Sequence, residues 1–340
     1  MALAAGLLAT AMPTHAQELE PRRWSQLPTG VNFFGAGVAY SEGDIFLDPV
    51  LQVEDGTVEA VTASVAYVRS FGLFGRSARF DVALPYADSK WQGLLEGEPA
   101  SVQRQGLKDP RFRLSILLYG GPALSPEEFA KQPKSDTVVG FGLSVVAPLG
   151  DYIDDRLLNL GQNRWVIWPQ LGVTHTNGPW TYELTGSIFF FTDNDRFFQG
   201  TKLENDPLYA IQGHLIYTFR PGLWASVSTA YGDGAKPTVS GVPKDSATEN
   251  WVNALSVGIP LSPRQGIKLS YLSSRTQVPT GSDQDTILLA FQTMFRGFSK
   301  EQSHATHNCI LVTTNLPCLS DRFARRHRQD RCRHRYGRYG

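Results

Sequence analysis

The chain has 340 residues, with 32 basic and 32 acidic residues and no formal net charge, and it is rich in aromatic residues and glycine. After the N-terminus no stretch approaches the roughly 18 consecutive apolar residues of a membrane-spanning helix, so a helical membrane protein is excluded. The composition favours many short strands joined by tight turns.

Residues 1–16 have the features of a secretory signal peptide. An apolar run from Leu3 to Met12 precedes the small-x-small sequence Thr14-His15-Ala16, which predicts cleavage before Gln17. A short buried N-terminal helix is the alternative. The body that follows, residues 17–295, contains no cysteine. An exported body without disulfides needs another source of stability, and a closed network of backbone hydrogen bonds would supply it.

About twelve segments of the body alternate apolar and polar residues with period two, as a strand between lipid and water requires. Phe80, Val82 and Leu84 share one face of such a segment, and Arg79 and Asp81 share the other. The predicted strands lie near 30–40, 58–69, 77–87, 109–119, 137–148, 164–175, 179–191, 207–219, 222–232, 249–260, 265–274 and 285–295.

The connections between these segments alternate in length, as in outer-membrane barrels with short periplasmic turns and long extracellular loops. Short turns are predicted at 71–76, 176–178, 220–222 and 262–264. Long loops are predicted at 41–57, 88–108, 149–163, 192–206, 233–248 and 275–284. The exception is 120–136, which falls where a short turn is due; its Ser125-Pro126-Glu127-Glu128 start predicts a short periplasmic helix.

These patterns predict an all-β fold, a transmembrane antiparallel β-barrel of about 12 strands of the outer-membrane type. Aromatic residues near strand ends fit the two membrane interfaces. They are Tyr40, Tyr86, Trp165, Trp180, Tyr217, Phe219 and Trp251. A soluble β-sandwich is the alternative, but a sandwich seldom has so many strands of such even length.

Polar residues on the strands must face the lumen, because an Arg or Lys facing lipid at mid-membrane costs about 2–4 kcal/mol. The predicted lumen-lining residues are Arg79, Asp81, Arg111, Arg113, Glu183, Gln212, His214 and Lys268. Two interpretations stay open. The charges can form a cross-strand ladder that biases the preference of a pore for ions or solutes, or the ladder can plug or stiffen a narrow barrel.

The sequence gives little support for catalysis, and no cofactor or metal is expected. The body holds only His175 and His214, and it lacks both a G-x-S-x-G elbow and a zinc-ligand pattern. Asp193, Asn194 and Asp195 in a predicted extracellular loop offer oxygen ligands for a weak cation site. The plainer interpretation is a solvated loop tip with turn-forming residues.

The last segment, residues 296–340, differs in character from the body. From Gly297 onward it carries eight arginines and one lysine against three acidic residues. Such a segment could bind nucleic acid or an anionic membrane surface. A disordered or read-through extension is the preferred interpretation, and no nucleic-acid partner is expected.

Long stretches of the body resemble a known bacterial family. They include LEPRRWSQLPTGVNF, FGLFGRSARFDVALPYA, GLKDPRFRLSILLYGGPALSPEEFA and DPLYAIQGHLIYTFRPGLWAS. Together with later motifs they resemble the MetA-pathway of phenol degradation family, over about Glu18 to Phe295. The resemblance implies an outer-membrane transporter barrel linked by its name to aromatic catabolism, without established substrate or catalytic residues. Such barrels usually finish on an aromatic residue, a position that Phe295 would fill.

We therefore expect a channel in the outer membrane of a Gram-negative bacterium for passive uptake of small, aromatic or hydrophobic, compounds. Its expected partners are outer-membrane lipid, the small-molecule solute and the barrel-assembly machinery. Two alternatives stay open. One is a barrel enzyme acting on lipid, which would need His214 or His175 beside a serine at the membrane surface. The other is a structural or sensory surface barrel without transport.

Overall fold

The computed structural model describes residues 19–47, 53–244 and 246–296. They belong to one of two compact units of the chain, Met1–Gly297; the other, Phe298–Gly340, lies outside the described residues. The predicted signal peptide 1–16 and all of the predicted tail except Arg296 also lie outside them. None of the helices in the described ranges is long and apolar enough to cross a membrane.

Twelve antiparallel strands close into a barrel, and the predicted fold class is confirmed. The strands of the wall and its extension are β1 (Val31–Phe46), β2 (Val53–Leu73), β3 (Arg76–Leu95), β4 (Glu98–Leu107), β5 (Arg111–Tyr119), β6 (Thr137–Val146), β7 (Val166–Asn177) and β8 (Trp180–Phe191). After two short strands, β9 (Asn194–Phe197) and β10 (Thr201–Asn205), the wall continues with β11 (Leu208–Arg220) and β12 (Leu223–Gly234). Two more short strands, β13 (Pro237–Val239) and β14 (Val242–Pro243), precede β15 (Thr248–Ser262), β16 (Gln265–Thr276) and β17 (Gly281–Arg296).

Closure comes from β1, which pairs with β2 on one side and with β17 on the other. Its register with β17 runs from Val31 opposite Arg296 to Phe46 opposite Gly281. Because every wall strand has two neighbours, the backbone hydrogen-bonding groups of the wall are satisfied within the barrel, as a bilayer requires.

Burial alternates along much of each wall strand. In β3 the side chains of Arg79 and Asp81 are buried, whereas Phe80, Leu84 and Tyr86 are 39%, 42% and 46% exposed. The exposed positions form an apolar outer face, because that face meets lipid rather than water. The interior therefore receives the polar side chains.

The predicted loops were wrong in extent at several places. Residues 41–46 continue β1, the connection between β16 and β17 is only 277–280, and 88–107 form a hairpin of β3 and β4. Beyond the membrane a strand meets water on its outer face, so the apolar and polar alternation that marks a strand in the sequence disappears there. The four short strands β9, β10, β13 and β14 form a separate small sheet.

Four of the five periplasmic connections in the described ranges are short, as predicted, and 120–136 is the longer exception. Phe74 and Gly75 between β2 and β3 both have positive φ, 51° and 71°, which is the conformation of a tight type I′ hairpin. The predicted helix in 120–136 is also present as α1 (Pro126–Lys131). Ser125 caps it, since its hydroxyl accepts from the Glu128 N–H and the Glu128 carboxylate accepts from the Ser125 N–H.

Candidate functional site

The residues before β1 fold into the barrel. Residues 19–30, here called the luminal segment, precede the first strand, and Leu19, Glu20, Trp24 and Leu27 in it are buried. The segment is tied to the periplasmic end, where the Thr29 N–H donates to the Leu124 carbonyl and the Gly30 N–H to the Ser70 carbonyl. It therefore occupies the lumen from the periplasmic side.

The predicted charged residues of β3 and β5 meet the luminal segment in one cluster. Arg113 lies 2.7 Å from the Glu20 carboxylate and 3.2 Å from that of Asp81. Arg79 lies 3.6 Å from Asp81 and 3.7 Å from Glu20, and Arg23 lies 3.8 Å from Asp81. Two carboxylates are thus shared by arginines of both the wall and the segment. We call these five residues the charged cluster.

Arg111 lies beside this cluster on β5. Its side chain is buried on the inner face, two residues before Arg113, as the period-two pattern predicts. Lys268 on β16 is also buried on the inner face. The interior therefore holds more cationic than anionic side chains around the charged cluster.

Glu183 on β8 holds a second part of the luminal segment. Its carboxylate accepts from the backbone N–H of Arg22 at 2.6 Å and from the Thr174 hydroxyl at 3.0 Å. The Arg22 guanidinium donates to the Thr218 hydroxyl at 2.5 Å and lies 5.2 Å above the ring of Trp224. A backbone group of the segment is thereby fixed by a wall side chain.

Trp24 fills a socket that glycine creates. Gly140 on β6 and Gly172 on β7 are register partners, and Gly172 is paired with Thr185 on β8. A Cβ at Gly140 would lie 2.1 Å from the Trp24 ring and one at Gly172 would lie 1.9 Å from it. The indole N–H donates to the Thr185 hydroxyl at 2.8 Å. Because glycine has no side chain, the Trp24 ring can lie directly against the backbone at these two positions.

Gln212 and His214 on β11 face the interior. His214 is buried, and its Nδ1 lies 2.8 Å from the Ser228 hydroxyl on the neighbouring β12; Gln212 is half-buried. His175, by contrast, lies near the periplasmic end of β7, with Nδ1 2.9 Å from the Thr137 hydroxyl in an exposed position. The two histidines of the body are therefore in different environments.

A group of buried apolar side chains, most of them small, lies on one side of the interior and is here called the apolar arc. Buried polar residues such as Ser256, Ser270 and Lys268 lie on the same strands. The arc spans the neighbouring strands from β3 through β1 and β17 to β12. Its members are Leu19, Ala39, Ala66, Ala83, Ala230, Val252, Ala254, Leu272, Leu288 and Ala290. Because Leu19 belongs to it, the arc and the charged cluster meet at the start of the luminal segment.

Two of the three predicted cation-binding residues, Asp193 and Asn194, contact other extracellular residues, and the third, Asp195, is exposed. Asp193 lies 2.7 Å from the Lys202 ammonium group. Asn194 is buried, and its amide donates to the Tyr152 hydroxyl at 2.9 Å. The hydrogen bond to Asp193 raises the pKa of Lys202. No group of three or more His, Cys, Asp and Glu side chains within the described ranges is placed to hold a metal ion. The weak cation site remains a prediction.

The comparisons with known proteins agree with this architecture. The sequence model of the family "Putative MetA-pathway of phenol degradation" matches residues 33–281. The chain belongs to this family. No curated protein matches it significantly.

Among solved structures, an outer membrane channel from Pseudomonas putida F1 superposes on this chain with a TM-score of 0.68. The two chains share 18% identity over 82% of this chain and 100% of that one, so the likeness concerns the fold. The β domain of the Bordetella autotransporter BrkA has a TM-score of 0.47 at 8% identity, covering 78% of this chain and 100% of that one. The chain is an outer-membrane β-barrel, in agreement with the sequence prediction.

The luminal segment is the part of the site that sequence reasoning missed. The motif LEPRRWSQLPTG is too short and too rich in proline for a wall strand, and its Trp between arginines and a serine gives no periodic signal. One signal was available. Glycines occupy inward positions 140 and 172 of two neighbouring predicted strands, and glycine in a strand interior often marks the close approach of another group.

Proposed function

We propose that this barrel is a passive uptake channel for small aromatic or other hydrophobic compounds. The observation that carries the proposal is the meeting of the apolar arc and the charged cluster inside one closed barrel. The arc gives apolar solutes a surface, and the cluster gives their polar substituents hydrogen-bond donors. This combination of an apolar lining with a few polar groups is typical of sites for small molecules.

The apolar arc supports passage rather than permanent filling. Six of its ten members are alanine. Large branched side chains would fill the interior of a narrow barrel, as they do in closed barrel cores. Alanine occupies little of the interior, but the ten members are at most 9% exposed, so an apolar solute reaches this wall once the side chains packed against it move aside.

The charged cluster supports a preference of the channel for certain solutes. In it Arg23, Arg79 and Arg113 face the carboxylates of Glu20 and Asp81, and Arg111 stands beside them. Guanidinium groups donate several hydrogen bonds and also stack on aromatic faces. We therefore assign the lumen-lining residues a selectivity role that favours anions and aromatic solutes bearing hydroxyl or carboxylate groups. Glu183, Gln212, His214 and Lys268 complete that lining.

The luminal segment supports a constriction that must shift for a solute to pass. It is held by charged groups through Glu20 and Arg23 and by packing through Trp24. Breaking one partner of a buried ion pair costs about 3–5 kcal/mol. Loss of the cluster contacts should therefore open the lumen.

Planar-bilayer recording of the purified protein tests the proposal. We expect a small conductance that increases in the double variant Glu20→Ala, Arg23→Ala. The control is Gln26→Ala in the same segment, whose side chain makes only an exposed hydrogen bond to the Pro122 carbonyl. Absence of conductance in all three proteins would contradict the channel and favour a structural or sensory barrel.

A lipid-acting enzyme is the second candidate, and the hydrogen bond between His214 and Ser228 is the observation that favours it. Nucleophilic catalysis uses such a pair. The pair lies on the luminal face, however, and His214 is only 6% exposed, whereas a lipid substrate would approach from the membrane. Hydrolysis of phospholipid vesicles by the wild type, lost in His214→Ala, would support the enzyme over the channel.

A further inference from the structure

An apolar recess lies at the extracellular mouth, away from the luminal segment. Its wall is the inner face of the hairpins that β1, β2, β3 and β4 form above the membrane. Val58 on β2, Trp91 on β3 and Val102 on β4 are register partners across three strands. Apolar side chains around Trp91 line the recess, which is open on one side. They are Ile45, Leu95 and Val102 from the strands, with Leu158 and Phe198 from two other loops.

Two glycines line the recess. Gly56 and Gly93 lie there, and a Cβ at either would approach backbone oxygens to 2.8 Å and 2.9 Å. Glycine at these two positions therefore allows the close approach of the backbones of β1, β2 and β3 behind the recess.

The cover of the recess is held in place by hydrogen bonds. Arg104 on β4 donates to the Leu158 carbonyl at 2.6 Å. Asn159 closes the turn beneath it, accepting from the Ile153 N–H at 2.9 Å and donating to the Arg156 carbonyl at 2.8 Å. The Asp151 carboxylate accepts from the Leu107 N–H at 2.7 Å, and the Asp151 N–H donates to the Leu107 carbonyl at 2.8 Å. Because the recess is already formed in the free protein, little of the binding free energy is lost to ordering its side chains and loops.

The size and polarity of the recess define the ligand. Its volume is about 240 Å³. An apolar cavity of about 150 Å³ is sufficient to bind benzene. The nearby charges are engaged: Arg104 by a carbonyl, and Asp155 and Arg156 by each other at 3.7 Å. The recess thus offers space for one ring with a short substituent and an indole ring to pack against it.

We propose that this recess is a binding site for neutral one-ring aromatic compounds, which it captures outside the cell before they enter the lumen. The proposal deepens the uptake function proposed above and rests on it for its biological purpose. The binding itself depends only on the recess.

Phenol binding to the full-length protein in detergent, measured by titration calorimetry, tests the site. Val102→Trp places an indole in the recess, and Gln103→Trp places the same group on the opposite face of β4. We expect saturable phenol binding by the wild type, an affinity at least tenfold lower in Val102→Trp, and a change of less than twofold in Gln103→Trp. Glucose, a polar six-membered ring, should not bind.

Heat-modifiable mobility on gels verifies that each variant is folded. If Val102→Trp does not fold, Trp91→Ala should weaken phenol binding at least fivefold, with Lys90→Ala on the outer face as its control. No saturable binding by the wild type would overturn the proposal. An equal loss of affinity in Val102→Trp and Gln103→Trp would do so as well.

Conductance of the wild type separates this proposal from the channel function. Phenol binding that Val102→Trp abolishes, together with no conductance, would support the recess and overturn the uptake channel. Conductance without phenol binding would overturn the recess alone.

Discussion

Replacing Gly172 by alanine should open the lumen without changing any charge. The added methyl group would lie 1.9 Å from the Trp24 indole nitrogen and 2.7 Å from the Thr185 hydroxyl. The ring must withdraw by about 1.5 Å or more to reach van der Waals distance. Since the wall strand is held by two neighbours and the segment is not a strand, we expect the ring to move.

The magnitude follows from what Trp24 loses. Removing a buried Trp side chain from its packing costs about 3–5 kcal/mol, and its hydrogen bond adds about 0.5–1.5 kcal/mol. A loss of about 4 kcal/mol shifts the balance between the seated and the displaced segment by roughly a thousandfold. Single-channel recording should show this as a larger conductance or a higher open fraction in Gly172→Ala than in the wild type.

Gly186→Ala is the matched control, because Gly186 lies on the next strand and its added Cβ would meet nothing within 4 Å. It should leave the channel unchanged. Equal recordings from the wild type and both variants would refute the reasoning that Trp24 holds the segment in its glycine socket. An equal increase in both variants would point instead to a general effect of alanine on the wall.

Other perturbations test the cluster, the loop and the helix cap. Arg111→Gln removes a cation beside the charged cluster, so the reversal potential in a salt gradient should shift toward lower anion preference, while the outward-facing Leu114→Gln control keeps that preference. Asp109 accepts from the N–H groups of Gly150 and Gln162 at 2.8 Å and 2.7 Å. Asp109→Ala should therefore destabilise this loop by about 1–3 kcal/mol per unsatisfied N–H group and speed external proteolysis of residues 149–163. Unchanged cleavage would contradict this. The hydrogen bond from the Ser125 N–H lowers the pKa of Glu128 below its usual 4.5, so the capping contribution is present above pH 4.5 and is lost as pH falls through the lowered pKa. The protection of the Ser125 amide against exchange, corrected for the intrinsic exchange rate at each pH, should accordingly fall at acid pH in the wild type but not in Glu128→Gln, which lacks the titration.

The wall could be predicted from the sequence because lipid and lumen impose opposite requirements on neighbouring residues. Phe80 and Leu84 face out and Arg79 and Asp81 face in, and the sequence shows this directly as period two. The same rule placed Arg111, Arg113, Glu183, His214 and Lys268 on the inner face. Ser125 and Glu128 predicted α1 because a capping box is a local pattern.

The luminal segment and the recess could not be predicted in the same way. Glu20 contacts Arg113, 93 positions away, and Trp24 contacts Thr185, 161 positions away. No periodicity within residues 19–30 encodes such partners. At the extracellular mouth both faces of β3 and β4 meet water or loops, so the strands lose their alternation and resemble a loop in sequence.

The pairing of β1 with β17 makes the wall a ring in which no strand is structurally first. Val31 lies opposite Arg296, and Cα atoms of such antiparallel partners are about 5 Å apart. A linker of a few residues can span that gap. The same strand pairs can therefore form with a different chain order. A circular permutant whose chain begins at another periplasmic turn should form the same barrel wall. The luminal segment restricts this freedom, because it must connect to a strand at the periplasmic end, from which it enters the barrel before Val31.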